Sequence, residues 1–151
     1  MMNSRIAVCL LAALLGVSCS APECTEAFCP VDERDEDGRF CYSLDMSDSL
    51  STYDLSFYTR VDCPQREFLE MGDVELGVEL VSPSGEVYSE TVFVPVDEFR
   101  SRRKGTYDCV IDYREGLVPV EWGVWRMSLA VREIGGLRGI GVINRKINGK
   151  G

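Results

Sequence analysis

The chain has 151 residues, 45% of them apolar, a formal charge of −9 and no histidine. The apolar share excludes a disordered protein, and the length suits one domain with a single core. The acidity argues against nucleic acid as a partner, because phosphate affinity needs clustered Lys and Arg, and the lack of histidine removes the commonest general base, His-based triads and most catalytic zinc sites.

Arg5 opens a continuous apolar run from Ile6 to Leu15, closed by Gly16-Val-Ser-Cys19. One positive charge, about ten apolar residues and then small residues describe a signal peptide over residues 1–18. The run is too short to cross a membrane, which takes roughly 20 apolar residues. An ordinary secretory cut after Ala21 would place Pro22 directly behind it, whereas Leu15-Gly-Val-Ser-Cys19 resembles the lipobox of bacterial lipoproteins, with Gly16 where Leu usually stands. That resemblance implies cleavage before Cys19, diacylglycerol on its thiol and an acyl chain on its new amino group. Several acyl chains, at about 0.8 kcal/mol per buried methylene, make a lasting anchor where one makes only a marginal one. Cleavage takes the formal charge to −10, so electrostatic adhesion to anionic lipid is disfavoured and a membrane location needs the covalent anchor.

Seven cysteines stand at 9, 19, 24, 29, 41, 63 and 109. Cys9 leaves with the leader and Cys19 becomes a thioether, so five remain. An exported domain meets an oxidising space, where disulfides form. Cys63 and Cys109 are the first candidate pair, and two of Cys24, Cys29 and Cys41 offer a second. No C-x-x-C pair and no His is present to build a zinc site.

Residues 20–38 have neither strand nor helix period and carry the acidic run Asp32-Glu-Arg-Asp-Glu-Asp37. Setting Glu33, Asp35, Asp37 and Gly38 on an EF-hand loop leaves Leu44 at the position that needs a bidentate Glu, so that calcium motif fails. The expectation is a solvated tether over residues 19–38, self-repelling and exposed.

From residue 39 the pattern alternates. Phe40, Tyr42, Leu44 and Met46 share one face, as do Tyr53, Leu55, Phe57, Thr59 and Val61 after the polar turn at Ser47-Asp-Ser49. Val74, Leu76, Val78 and Leu80 alternate with Glu75, Gly77 and Glu79; Ser82-Pro-Ser-Gly85 is a turn, and Val87 to Val94 returns as the second arm of a hairpin. Pro95 marks a strand end. Residues 97–105 form the only strongly basic segment, which reads first as an exposed connection and second as a contact for an anionic partner. Tyr107, Cys109 and Ile111 begin another strand, Gly123 to Arg132 a long one, and Ile140, Val142 and Ile143 the last, before a polar tail at 148–151. No stretch of 11 or more residues holds a helical period. The prediction is an all-β protein, an antiparallel β-sandwich of about seven strands over residues 39–147.

The order of segments resembles the gliding-motility lipoprotein H (GldH) family of Bacteroidota over most of residues 40–145. The similarity lies in the lipidated Cys and spacer, Asp48-Ser-Leu-Ser-Thr-Tyr53-Asp-Leu-Ser-Phe-Tyr-Thr-Arg60, the hairpin with Ser82-Pro-Ser-Gly85, the Gly-x-Trp strand at Gly123, and Val131-Arg132 followed by Gly136-Leu-Arg-Gly-Ile-Gly-Val-Ile143. Here Val131 stands where the family carries Met, and Phe68-Leu-Glu-Met-Gly72 replaces a Tyr- and Asn-containing segment. The resemblance implies an envelope lipoprotein linked to gliding or its secretion machinery.

Three functions are therefore weighed. The first is a lipid-anchored interaction or scaffold protein of the cell envelope, in the outer membrane, with an envelope protein partner and no cofactor. The second is a small-molecule or glycan binder that stacks its ligand on Trp122 or Trp125, although such residues more often fill a core. The third is a hydrolase using carboxylates among Asp45, Asp48 and Asp54, positions on strand faces and turns where solvated carboxylates are routine. The expectation is that the chain is not an enzyme.

Overall fold

A computed structural model describes residues 23–149; the leader at 1–18 and the anchor Cys19 lie outside them. Nine strands form: β1 (Cys24–Pro30), β2 (Phe40–Met46), β3 (Ser51–Asp62), β4 (Val74–Val81), β5 (Val87–Val94), β6 (Arg100–Arg103), β7 (Thr106–Leu117), β8 (Gly123–Val131) and β9 (Leu137–Asn148). They make two antiparallel sheets, a five-stranded one in the order β1-β9-β3-β7-β6 and a four-stranded one in the order β2-β8-β4-β5. The two sheets pack face to face, so the all-β sandwich expected from the alternation is present.

The period-2 pattern explains the packing. Every second residue of β2 (Phe40, Tyr42, Leu44, Met46) is buried, and the residues between them are exposed. From the opposite sheet, Tyr53, Leu55, Phe57 and Val61 of β3 and Ile140 and Val142 of β9 close the core against Trp125, Met127 and Leu129 of β8. Tyr42 reaches across the sandwich, its hydroxyl donating to the Ile140 carbonyl at 2.7 Å. That bond satisfies a polar group carried into an apolar interior, where leaving it unpaired would cost about 1–3 kcal/mol.

Two strands stand where the sequence pattern gives none. Residues 24–30, expected in the tether, are β1, paired in register with β9 from Cys24↔Arg145 to Pro30↔Gly139. β1 is an edge strand whose first five residues are exposed. It is held by backbone hydrogen bonds, which leave no mark in side-chain alternation. The rest of the acidic run is also folded: Val31–Glu33 is a single 3-10 turn, and one carboxylate oxygen of Asp35 accepts the amides of Asp37 and Arg39 at 3.0 and 2.8 Å. The self-repelling spacer is thus replaced by a built connection from one sheet to the other. The second added strand is β6, inside the basic segment, and it pairs with β7. A short helix, Gln65–Glu70, also forms, laying the Phe68 ring on Tyr107 with centroids 3.7 Å apart.

All five described cysteines are free thiols, against the expected bridges. For Cys63 and Cys109 the register gives the reason. Cys109 pairs with Thr59, while the Cys63 amide bonds to the Gly105 carbonyl. Four residues of strand separate them by roughly 13 Å, beyond the ~7 Å Cα limit of a disulfide. Cys24 and Cys29 begin and nearly end the same extended strand, which separates them as well, whereas Cys29 and Cys41 are neighbours, the Cys41 amide donating to the Cys29 sulfur, although both are free thiols in this structure.

Two outcomes follow. Peptide mapping of the non-reduced protein should find no Cys63–Cys109 linkage. Alkylation near neutral pH should label exposed Cys24 readily, while Cys109, 3% exposed and with its thiol pushed up to about 11 by burial, should label only after denaturation. In the core, Leu129→Ala should lower the unfolding free energy by about 2–5 kcal/mol in a denaturant titration, and Val124→Ala, on the exposed face of β8, by less than about 0.5 kcal/mol.

Candidate functional site

The outer face of the five-stranded sheet carries three cross-strand rows fixed by the register. The first runs Glu26, Ile143, Ser56, Asp112; the second Phe28, Gly141, Tyr58, Val110; the third Pro30, Gly139, Arg60, Asp108, Arg100. Successive rows lie about 7 Å apart along the strands. Glu26 and Ile143 of the first row, Phe28, Tyr58 and Val110 of the second, and Pro30, Arg60 and Asp108 of the third line a depression of about 670 Å³ that also takes in Arg102 and Arg138. A smaller hollow of about 270 Å³, between Arg60, Arg102, Arg103 and Thr106, adjoins it.

The middle row depends on glycine. Gly139 and Gly141 occupy outward positions of β9, where a side chain would stand up between β1 and β3. A Cβ on Gly141 would collide with the Tyr58 ring, and one on Gly139 with the Phe28 ring and the Cys29 carbonyl. Without them, Phe28 and Tyr58 lean over the bare backbone from both sides and stack, centroids 5.6 Å apart and planes 24° apart. Glycine inside a strand loses packing and costs conformational entropy; aromatic side chains laid across it recover contact area. Phe28 remains 43% exposed, so this pair presents an apolar surface to solvent.

The third row is charged. Arg60 grips Asp108 with two bonds, Nε to Oδ1 at 2.7 Å and Nη2 to Oδ2 at 3.2 Å. Arg102 of β6 meets the same carboxylate. Arg138, at the irregularity between the Arg60↔Gly139 and Val61↔Leu137 pairs, reaches Asp62 at 3.6 Å. The Arg60 bonds, followed by the charges of Arg60 and Arg102, hold the Asp108 carboxyl below its ordinary range against the opposing effect of burial. Four guanidiniums (Arg60, Arg102, Arg103, Arg138) thus face two aspartates, a local positive surplus on a chain of net charge −9.

The residues proposed from sequence lie elsewhere. Trp125 is 5% exposed, its Nε1 donating to the Glu121 carbonyl at 2.8 Å; it packs in the core and also lines a separate depression of about 190 Å³ with Tyr88, Tyr113 and Val120. Trp122 is exposed in the loop before β8 and lines none of the depressions described. The three aspartates hold turns and loops: Asp45 accepts the Ser47 amide and hydroxyl, Asp48 the Leu50 amide and the Ser51 hydroxyl, and Asp54 the Gly116 amide. Among the described residues no group of three or more His, Cys, Asp or Glu stands ready for a metal ion. The basic segment is the one sequence signal that meets the groove, through Arg102 and Arg103. Phe28 lies in a segment read as patternless, and Tyr58 and Arg60 in a solvent face; the usable hint was Gly139-Ile-Gly141, two glycines on one face of a strand.

No family model matches the chain, and no curated protein does. Among solved structures, the chain is similar to the crystal structure of the bacteriophage CBA120 tailspike protein 4 enzymatically active domain, with 9% identity and a TM-score of 0.33, over 85% of this chain and 18% of that one. The chain thus spans under a fifth of that structure's length, and a likeness of this size carries no conclusion about fold or activity.

The charged row makes a pH prediction. Because the Asp108 carboxyl is depressed in the folded protein, its pairing stabilises above the ordinary carboxylate pKa of about 4 and is lost as pH falls below it. Asp108→Asn should therefore melt below the wild type at neutral pH, with the gap closing in acid; melting curves across pH check this.

Proposed function

We propose that this chain is an exported, lipid-anchored protein of the cell envelope with an interaction role, similar to lipoproteins associated with gliding and secretion, and that it is not an enzyme. Anchorage at Cys19 rests on the leader and lipobox, and the outer membrane is the location proposed for it. The recognition surface is the outer face of the five-stranded sheet, and the observation that carries this is the glycine-seated aromatic pair beside the arginine row. Exposed aromatic area is costly to display in water, and aromatic residues with Arg are the types enriched where proteins bind partners.

The anchor also fixes how the domain sits. β1 begins at Cys24, five residues beyond Cys19, so covalent geometry holds its start within about 18 Å of the lipidated sulfur's residue. The β1 edge, and with it the groove, is kept near the bilayer, where an envelope partner meets it.

A second reading, a small-molecule or glycan binder, is favoured by the groove's dimensions: about 670 Å³ falls in the usual small-ligand range of about 300–1,000 Å³.

Replacing Cys19 with Ala tests the anchor. The wild type should partition into the detergent phase on phase separation and the variant into the aqueous phase; a variant that stays with detergent contradicts lipidation at this residue.

A further inference from the structure

We infer that the outer-face groove takes an acidic saccharide, a chain of sugars bearing hexuronic carboxylates; this rests on the reading of that face as a recognition surface. Three features converge on that chemistry. The first is size. The depression, of about 670 Å³, lies within the small-ligand range of about 300–1,000 Å³, which suits a short segment of chain.

The second is the aromatic pair. Phe28 and Tyr58 reach over Gly139 and Gly141 and stack at a shallow 24°, and Phe28, 43% exposed, leaves aromatic surface open to solvent. The axial C–H groups of a sugar ring carry partial positive charge and pack on such a face, while its hydroxyls stay in water.

The third is the charged row. Arg102 and Arg138 have side chains 67% and 66% exposed, and each is held by a single aspartate contact. Several N–H donors on each remain free for a second acceptor, and exposed pairs of this kind exchange partners at little cost. The planar guanidinium fork matches a carboxylate in bidentate geometry. A sugar resting on the aromatic row puts a carboxylate borne on it about one row spacing away, roughly 7 Å, among these arginines. Glu26, at the opposite end of the depression, disfavours a second carboxylate there and so gives the bound chain a direction. The lining carries three guanidiniums (Arg60, Arg102, Arg138) against the carboxylates of Glu26 and Asp108, a surplus of one charge on a body of −9; that suits a sparsely charged chain and repels a dense polyanion such as nucleic acid.

The test is titration calorimetry of the full-length protein in detergent with trigalacturonate, against an uncharged cellotriose control. Wild type should bind trigalacturonate at least about tenfold more tightly than cellotriose, and the binding should weaken as salt rises from about 50 to 500 mM. The double variant Arg102→Gln/Arg138→Gln, altered only at exposed tips, should melt near the wild type yet lose at least about tenfold in affinity. Phe28→Ser, on the β1 edge, should lose affinity by a similar factor while the remaining arginines are intact. No heat from trigalacturonate, equal binding of cellotriose, or an unaffected double variant overturns the acidic-saccharide assignment. In that case capture from solubilised membranes by wild type and by the same variants separates the two claims. Capture that changes with the variants leaves the face as a recognition surface with a different occupant; capture that does not overturns that reading too.

Discussion

β9 has to satisfy three neighbours at once. It pairs with β1 on one side and β3 on the other, and its inward residues Ile140 and Val142 are buried in the core. Its outward positions 139 and 141 must be bare so that Phe28 and Tyr58 can lie down. A strand that was apolar on both faces would bury the outer face against something else or aggregate through it. A strand with polar outward side chains would fill the depression. Alternating Ile or Val inward with Gly outward gives a sheet that is anchored on one side and hollow on the other.

The same register explains why the charged row is where it is. β3 and β7 run antiparallel over their full length apart from irregularities near Leu55, so Arg60 faces Asp108 directly. β6 then adds the next positive charges through its pairing with β7. Asp108 stands among Arg60, Arg102 and Arg100. It grips Arg60 with two bonds and meets the exposed Arg102 through a single contact, so it gathers the guanidiniums at this edge while leaving Arg102 donors open. The global acidity of the chain and this local cationic edge are compatible because the charges are sorted by strand.

Much of the sandwich was legible in the chain. β2, β3, β4 and β8 each face the core with one side and solvent with the other, and period 2 in sequence is the direct image of that. β1 and β6 were not legible, because edge strands with both faces exposed are held by backbone bonds that any composition can make. The separation of Cys63 from Cys109 could not be read either. Cys63 and Cys109 look well placed on neighbouring strands until the register shows them displaced by four residues. The site was legible in one part only, the basic segment at 97–105. Its aromatic half needs Phe28, Gly141 and Tyr58, residues separated by up to 113 positions and joined only by two strand pairings. The two tryptophans drew attention as the largest aromatics, yet Trp125 is held inside by the same alternation that identified its strand.

The glycine-seated aromatic pair is the element on which the recognition surface stands, and proton chemical shifts report it directly. The Hα protons of Gly141 and Gly139 should show pronounced upfield ring-current displacement and cross-relaxation to the Tyr58 and Phe28 rings in the folded protein. Shifts at ordinary strand values, with no cross-relaxation to either ring, would mean the rings do not lie on β9, and would contradict the account of this face.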